Sequence, residues 1–272
     1  GLHICPDLDT VMYTLAGISN PETGWGIVNE SFETLNMLES YGEEIWFKLG
    51  DRGLATHILR TSRMRSGETL TEITAGLSGA LGVNSTVLPM SDDPVSTVLE
   101  TAEGRLEFQE YFVRRGQRDE VLAIELRGIQ DARPTERVLA AISGADAIVL
   151  CPSNPVVSVG PILALPGMTE ALASSSAPKV AVSPIIGGRA LKGPADRMLA
   201  SLGHEVSATG VARMYAGLVD GMVVDRADED ERAGIEALGM RVLVTQSVMR
   251  DAEDRARLAS ETLEFGAGLV AR

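Results

Sequence analysis

The sequence is short of the side chains that most metal and nucleophile sites are built from. Three histidines (His3, His57 and His204) and two cysteines (Cys5 and Cys151) stand in 272 residues. That supply argues against a histidine-rich metal site and against a Ser–His–Asp triad. The cysteines share no spacing motif, so they offer neither a disulfide framework nor a zinc site, and a reduced, cytoplasmic setting is expected. Cys151, at the end of an apolar run, reads as a small core residue. Positive charge is scarce too: 24 Lys and Arg face 38 Asp and Glu, for a net charge of −14 and a pI near 4.7. Nucleic-acid backbones and anionic membranes need positive surface, so neither is an expected partner, although a small anion could bind in a local pocket. A signal-peptide pattern, G-x-x-x-x-G-K-[ST], H-E-x-x-H and G-x-S-x-G are all missing. The sequence opens on "GLHIC" without a Met, which reads as the interior of a longer chain.

Charge of either sign is lacking in one stretch, "AIVLCPSNPVVSVGPILALPGMT", residues 147–169. Roughly 20 apolar residues cross a bilayer, so its length suggests a span. Its content does not, because Pro152, Pro155, Pro161 and Pro166 each remove a backbone donor and leave carbonyls that lipid cannot satisfy. Only "AIVLC" reads as regular structure, a fully buried strand followed by loop.

What is present is ordinary globular composition, 44% hydrophobic and 23% charged. From about residue 134, helix and strand alternate: "PTERVLAAISG", "DAIVLC", "GMTEALASSS", "KVAVSPII", "GPADRMLASLG", "GVARMYAGLV", "DGMVVD", "DEDERAGIEALG", "RVLVTQ" and a last helix over 251–267. This pattern predicts a Rossmann-like parallel sheet with helices on both faces. The first half differs. "DLDTVMYTLAG", "NESFETLNMLESYG", "DRGLATHILRTSRMRSG" and "TLTEITAGLSGALG" read as helices, while "STVLPM", "VSTVLETAEGRLEFQEYFVRRG" and "VLAIELRG" read as strands with a hairpin at "AEG". The expected organisation is a single α/β domain over 1–272: a helical cap (1–83), a β excursion (84–130) and the core half (131–272).

In an open parallel sheet, ligands sit beyond the carboxyl ends of the strands. Three strands run into small polar residues there: Pro152, Ser153 and Asn154; Ser183 and Pro184; Thr245 and Gln246. These make turns, or, with the glycines of "SVGPI" and "IIGGRALKG", a pocket whose backbone approaches a phosphorylated ligand. "PDLDT" sets Asp7 and Asp9 at a helix start, as dipole compensation or as a pair for Mg²⁺, which takes one or two carboxylates plus substrate phosphate oxygens. In "KLGDRGLATH", Asp51 caps the helix, Arg52 is solvated and His57 packs on the apolar face, or the group forms part of a site. "LPMSDDPVST" is a turn or a place where Asp92 and Asp93 face a hydroxyl or metal. Arg60, Arg63 and Arg65 form a basic island, either a solvated helix face or an anion contact.

Five stretches in this order, "PDLDTVMYTL", "GDRGLATHILRTSRMRSG", "LPMSDDPVSTVLETAEGRLEFQEYF", "PSNPVVSVGPILALPGM" and "SPIIGGRALKGPADRM", closely resemble the 2-phospho-L-lactate transferases of coenzyme F420 biosynthesis. The resemblance implies a dimeric, Rossmann-like, Mg²⁺-dependent enzyme. It would transfer a phosphorylated three-carbon acid (phospholactate, phosphoenolpyruvate or phosphoglycerate) from a guanosine diphosphate derivative to a hydroxyl of the deazaflavin FO, releasing GMP. It implies Asp9 beside Mg²⁺ and the reacting phosphate, as metal ligand or proton acceptor, with Asp7 next to it. Ser153, Asn154, Gly160, Ser183 and Pro184 would line the guanosine diphosphate pocket, and Met90, Ser91, Asp51, Arg52 and His57 would face the deazaflavin. Two departures stand out. A strand, a Gly-rich loop and an acidic segment that open family members do not precede Gly1, so a chain that truly began there is expected to bind nucleotide weakly. Gly53 stands where relatives commonly have Asp. The different-class alternative is a nucleotide-sugar-binding regulator of the related gluconeogenesis-factor type.

Overall fold

The computed structural model describes residues 1–270, and the chain divides into two compact units, Gly1–Pro94 and Val95–Arg272. The first holds α1 (Pro6–Leu15), α2 (Glu33–Ser40), α3 (Asp51–Arg65) and α4 (Leu70–Ala80). Proline at the first position starts α1, where the missing N–H is no loss. Thr69 and Glu72 close a reciprocal capping box on α4. A small core of Met12, Tyr13, Ile27, Ile73 and Leu77 joins α1 to α4. α3 contributes little to that core. Its buried residues, Gly53, His57, Arg60 and Thr61, recur at helical spacing yet are mostly polar.

The second unit opens with β1 (Ser96–Thr101), β2 (Gly104–Glu107) and β3 (Val121–Arg127), an antiparallel sheet in the order β2-β1-β3. The hairpin stands where the sequence placed it, with Thr101 opposite Gly104. Two strand expectations fail. "STVLPM" is irregular, so the β structure begins at Ser96 rather than near 84. "EYFVRRG" turns as a π-helix over Glu110–Arg114. Its aromatics explain why: Phe108 and Phe112 stack at 5.4 Å and Tyr111 is buried, a spacing of three and four that belongs to helical backbone and not to alternation.

There follow α5 (Glu136–Ser143), β4 (Ile148–Leu150), α6 (Gly160–Leu163), α7 (Met168–Ser174), β5 (Lys179–Val182), the short pair β6 (Ile185–Ile186) and β7 (Arg189–Ala190), α8 (Ala195–Ser201), α9 (Ala208–Met214), β8 (Gly221–Asp225), α10 (Arg232–Glu236), β9 (Arg241–Thr245) and α11 (Ala252–Val270). β4, β5, β8 and β9 form one parallel sheet in that order. Alternate residues face opposite layers, as a pleated strand requires. Ala181, Met222, Val224 and Val242 pack with Leu199, Val211 and Ile235 from α8, α9 and α10. Val180, Val182 and Val223 pack with Leu258 of α11, joined by Phe265 and Leu269. The expected parallel α/β architecture, with helices on both faces, is therefore present. α11 lies so close to the start of β8 that a side chain at Gly221 would meet Phe265 at 2.6 Å.

Among the described residues no single helix is long and apolar enough to cross a membrane. The uncharged run becomes β4, a π-turn over Pro155–Val159, α6 and α7, and the pair Pro155–Leu163 and Met168–Ser174 is bent by 79°.

Candidate functional site

Asp9 lies on the inner face of α1 and is only 4% exposed. A carboxylate so placed needs a partner, because an isolated buried charge is strongly unfavourable. Arg60 supplies it from α3. Its Nη1 donates to Asp9 Oδ2 at 3.1 Å, and its Nη2 donates to Asp9 Oδ1. At 1% exposure Arg60 is among the largest fully buried side chains. His57, one turn earlier on α3, places Nδ1 3.5 Å from Asp9 Oδ2 and 3.3 Å from Arg60 Nη1. Burial holds the His57 imidazole below its ordinary pKa against the opposing pull of Asp9, and the Arg60 charge adds a smaller push in the same direction as burial. The polar inner face of α3 thus answers one carboxylate on α1.

Two further bonds brace this contact. The backbone N–H of His3 donates to Thr61 Oγ1 at 2.7 Å, and Tyr13 OH donates to Thr56 Oγ1 at 2.8 Å. Burial pushes the Tyr13 phenol up to about 12 and the Cys5 thiol up to about 11, so neither is a ready anion near neutrality. Asp7 is exposed on the first turn of α1, its carboxyl raised above the ordinary value by desolvation and then by Asp9.

The remaining predicted residues of this unit serve the helix ends. Asp51 does not cap its own helix. It accepts from Ser31 Oγ, Glu33 N and Thr34 N and so caps α2. Glu30 returns the exchange, accepting from Arg52 N and Gly53 N at the start of α3, while Arg52 Nη1 reaches Val28 O. A Cβ at Gly53 would sit 3.5 Å from Glu30 Oε1, which gives glycine there a local reason: an Asp would bring a second carboxylate onto the first. Ser91 is buried in a turn with Asp93, Asp92 Oδ1 accepts from Thr71 N at the start of α4, and Met90 is half-buried.

In the second unit the four parallel strands end along one sheet edge, as expected. Asn154 Oδ1 accepts from Val156 N and Val157 N and caps the π-turn, so the carbonyl end of its amide serves the backbone. Gly160 is needed for packing, since a Cβ would stand 3.0 Å from Pro155 O. Ser183 donates to Ile185 O and accepts from Ile185 N, a closed local turn beside the half-buried Pro184. Ser153 is half-buried and precedes the cap. Thr245 donates to Glu261, and Gln246 accepts from Arg257, so both side chains are drawn toward α11. Cys151 is exposed rather than a core residue, because β4 ends at Leu150 and the next residue has already left the sheet.

Sequence reasoning missed two residues. Asp225, at the end of β8, accepts from Ser247 N at 2.7 Å and from Ala227 N at 3.0 Å, fixing the loops after β8 and β9. In the sequence Arg60 stands out only as part of a basic island. Its signal was the inward periodicity of α3, which puts 53, 57, 60 and 61 on one face.

As donors for Mg²⁺, Asp7 offers an exposed carboxylate. The Arg60 fork takes two of the roughly four lone-pair positions of Asp9 and leaves the others. Among the described residues no three His, Cys, Asp or Glu side chains gather as a metal cage. Mg²⁺ takes one or two carboxylates with substrate phosphate oxygens and water, and Asp7 and Asp9 are carboxylates of that number.

The fold is an α/β architecture whose parallel sheet ends in small polar turns, and the helical unit by itself holds a buried carboxylate. A family model described as 2-phospho-L-lactate transferase CofD matches residues 1–262, and the chain belongs to that family. Among curated relatives, a phosphoenolpyruvate transferase of Streptomyces griseus is 44% identical, covering 97% of this chain and 85% of that protein. A 2-phospho-L-lactate transferase of Methanosarcina acetivorans is 40% identical over 99% and 86%. A solved structure from Bacillus halodurans, a member of the UPF0052 family, has a TM-score of 0.59 at 18% identity, over 91% and 81% of the two chains. At that identity the likeness speaks for the fold alone.

Proposed function

We propose that the protein transfers a phosphorylated three-carbon acid, phosphoenolpyruvate or 2-phospho-L-lactate, from a guanosine diphosphate-activated donor to the deazaflavin FO, in coenzyme F420 biosynthesis. A hydroxyl of FO attacks the phosphorus that bears the acid. A new P–O bond forms, the P–O bond to GMP breaks, and the hydroxyl proton leaves. Such a reaction needs in-line placement and charge neutralisation more than it needs a protein nucleophile. One observation carries the reading: the Asp9 of "PDLDT" is a buried carboxylate held by Arg60, in a chain matched to the family over residues 1–262. The names of the relatives supply the two candidate acids.

Asp9 is the carboxylate assigned to the reacting centre, with Asp7 beside it at the surface. Mg²⁺ would be held by Asp7 and by the remaining positions of Asp9, and would supply neutralisation of diphosphate charge. The turns after β4 and β5, with Ser153, Asn154, Gly160, Ser183 and Pro184, are assigned to the nucleotide. The side chains of Asn154 and Ser183 are engaged with the backbone, so the contact assigned to them is made by the turns they hold. Met90, Ser91 and His57 are assigned to the FO side, and the working unit is a homodimer.

The test is direct. The full chain is incubated with FO, Mg²⁺ and each guanylylated acid, and GMP and phosphorylated deazaflavin are sought by mass spectrometry. Product with either donor supports the reading. No product, together with tight binding of a uridine sugar, would replace it with the regulator alternative.

A further inference from the structure

Arg60 is assigned no contact with the substrate in the transfer just described, yet it is the most deeply buried charge near Asp9. Its guanidinium is held through the terminal nitrogens alone. Nη1 reaches Asp9, His57 Nδ1 and, at 3.5 Å, the carbonyl of His3, and Nη2 reaches the other oxygen of Asp9. The buried Nε has no hydrogen-bond partner. A guanidinium anchored this way takes its orientation from the carboxylate it grips, and the carboxylate takes its own in return. Burying such a pair is a poor way to gain stability, because well-packed apolar residues of similar volume often do as well. What a bidentate fork adds is direction, since two parallel bonds fix the plane of a carboxylate where a single donor would leave it free to turn. The bonds from His3 N–H to Thr61 Oγ1 and from Tyr13 OH to Thr56 Oγ1 tie α1 and the residues before it to α3 beside the pair, and the fork sets the carboxylate between them.

We propose, resting on the transferase reading, that Arg60 is a positioning residue for the transfer. Its fork fixes the plane of the Asp9 carboxylate so that the two remaining acceptor positions face the reacting centre. It also offsets the Asp9 charge, which would otherwise oppose an anionic diphosphate in a chain of net charge −14. Arg60 does not touch the substrate and acts through Asp9.

The experiment compares wild type, Arg60→Lys, Arg60→Gln, Asp9→Asn and the double variant Asp9→Asn/Arg60→Gln in the GMP-release assay, at a temperature where circular dichroism shows each folded. Lysine keeps the charge and loses the fork. Arg60→Lys is therefore expected to lower kcat on the order of 10²-fold, the scale of a small misplacement, while the donor KM stays within about twofold. Because Arg60 acts through Asp9, the double variant is expected to be no slower than Asp9→Asn. Wild-type kcat in Arg60→Lys or in Asp9→Asn would overturn the proposal, as would a raised KM with unchanged kcat, or a further tenfold loss in the double variant. If Arg60→Gln does not fold, Arg60→Lys alone decides. A wild-type protein that yields no GMP overturns the transferase reading, and this inference with it, and is told apart by its own inactivity.

Discussion

Removing the Asp9 carboxylate leaves a guanidinium in a protein interior with nothing to balance it. Breaking a buried pair by deleting one member typically costs about 3–5 kcal/mol, so Asp9→Ala is expected to weaken the fold as well as abolish turnover. A urea titration of Asp9→Ala against Asp9→Asn separates the effects, since Asn keeps part of the hydrogen bonding. Equal stability of Asp9→Ala and wild type would mean that the pair is not closed in solution. Asp51 makes a different claim on pH. Hydrogen bonds from Ser31 and Thr34 hold its carboxyl down to about 2 from an ordinary 3.8. A group depressed on folding contributes stability that is complete above the unfolded value and is lost as pH falls through the folded one. The stability gap between wild type and Asp51→Asn is thus expected to be widest above pH about 4 and to shrink as pH falls toward about 2. A gap that stays constant over this range would show that charge at the cap is immaterial. Asp9 and His57 were legible in the sequence as candidates, and Arg60 as a partner was not. The pair is separated by 51 positions, and periodicity says which face of a helix turns inward without saying what it meets.

Elements whose order depends on local pattern were read well, and those set by tertiary context were not. The four parallel strands stand out because short apolar runs alternate with capped helices, and this alternation leaves few topologies. The residues of "EYFVRRG" favour strand in general, whereas the spacing of Phe108, Tyr111 and Phe112 suits a helical turn that buries them together. Small residues in the turn after β4 were read as ligand-facing, and their contacts show what they do for the chain. Asn154 caps two backbone N–H groups, so Asn154→Ala is expected to cost about 1 kcal/mol. Gly160 accommodates the carbonyl of Pro155, so Gly160→Ala is expected to cost roughly 1–3 kcal/mol through overpacking. Calorimetry of both variants checks these figures. Unchanged melting in both would mean that the turn is not held by these contacts, and the side chains would then be available to the nucleotide after all.

At the scale of the molecule, the carboxylate assigned to the chemistry and the parallel sheet belong to different compact units. Asp9, Arg60 and His57 lie in Gly1–Pro94, whereas every strand of the parallel sheet, and the turns assigned to the nucleotide, lie in Val95–Arg272. The second unit contains the antiparallel sheet, the parallel sheet and the apolar layers on both faces of the latter, so each of its strands finds its partners and its packing inside the unit. That is the condition for folding alone. The segment Val95–Arg272, produced by itself, is therefore expected to give an α/β circular dichroism spectrum and a single cooperative thermal transition. It is also expected to release no GMP from the activated donor, because the carboxylate assigned to the chemistry is elsewhere. A segment that stays unfolded would show that the sheet depends on the helical unit for stability. A folded segment that turns over would place the chemistry at the carboxyl edge of the sheet, among Ser153, Asp225 and their neighbours, and would remove Asp9 from the reacting centre.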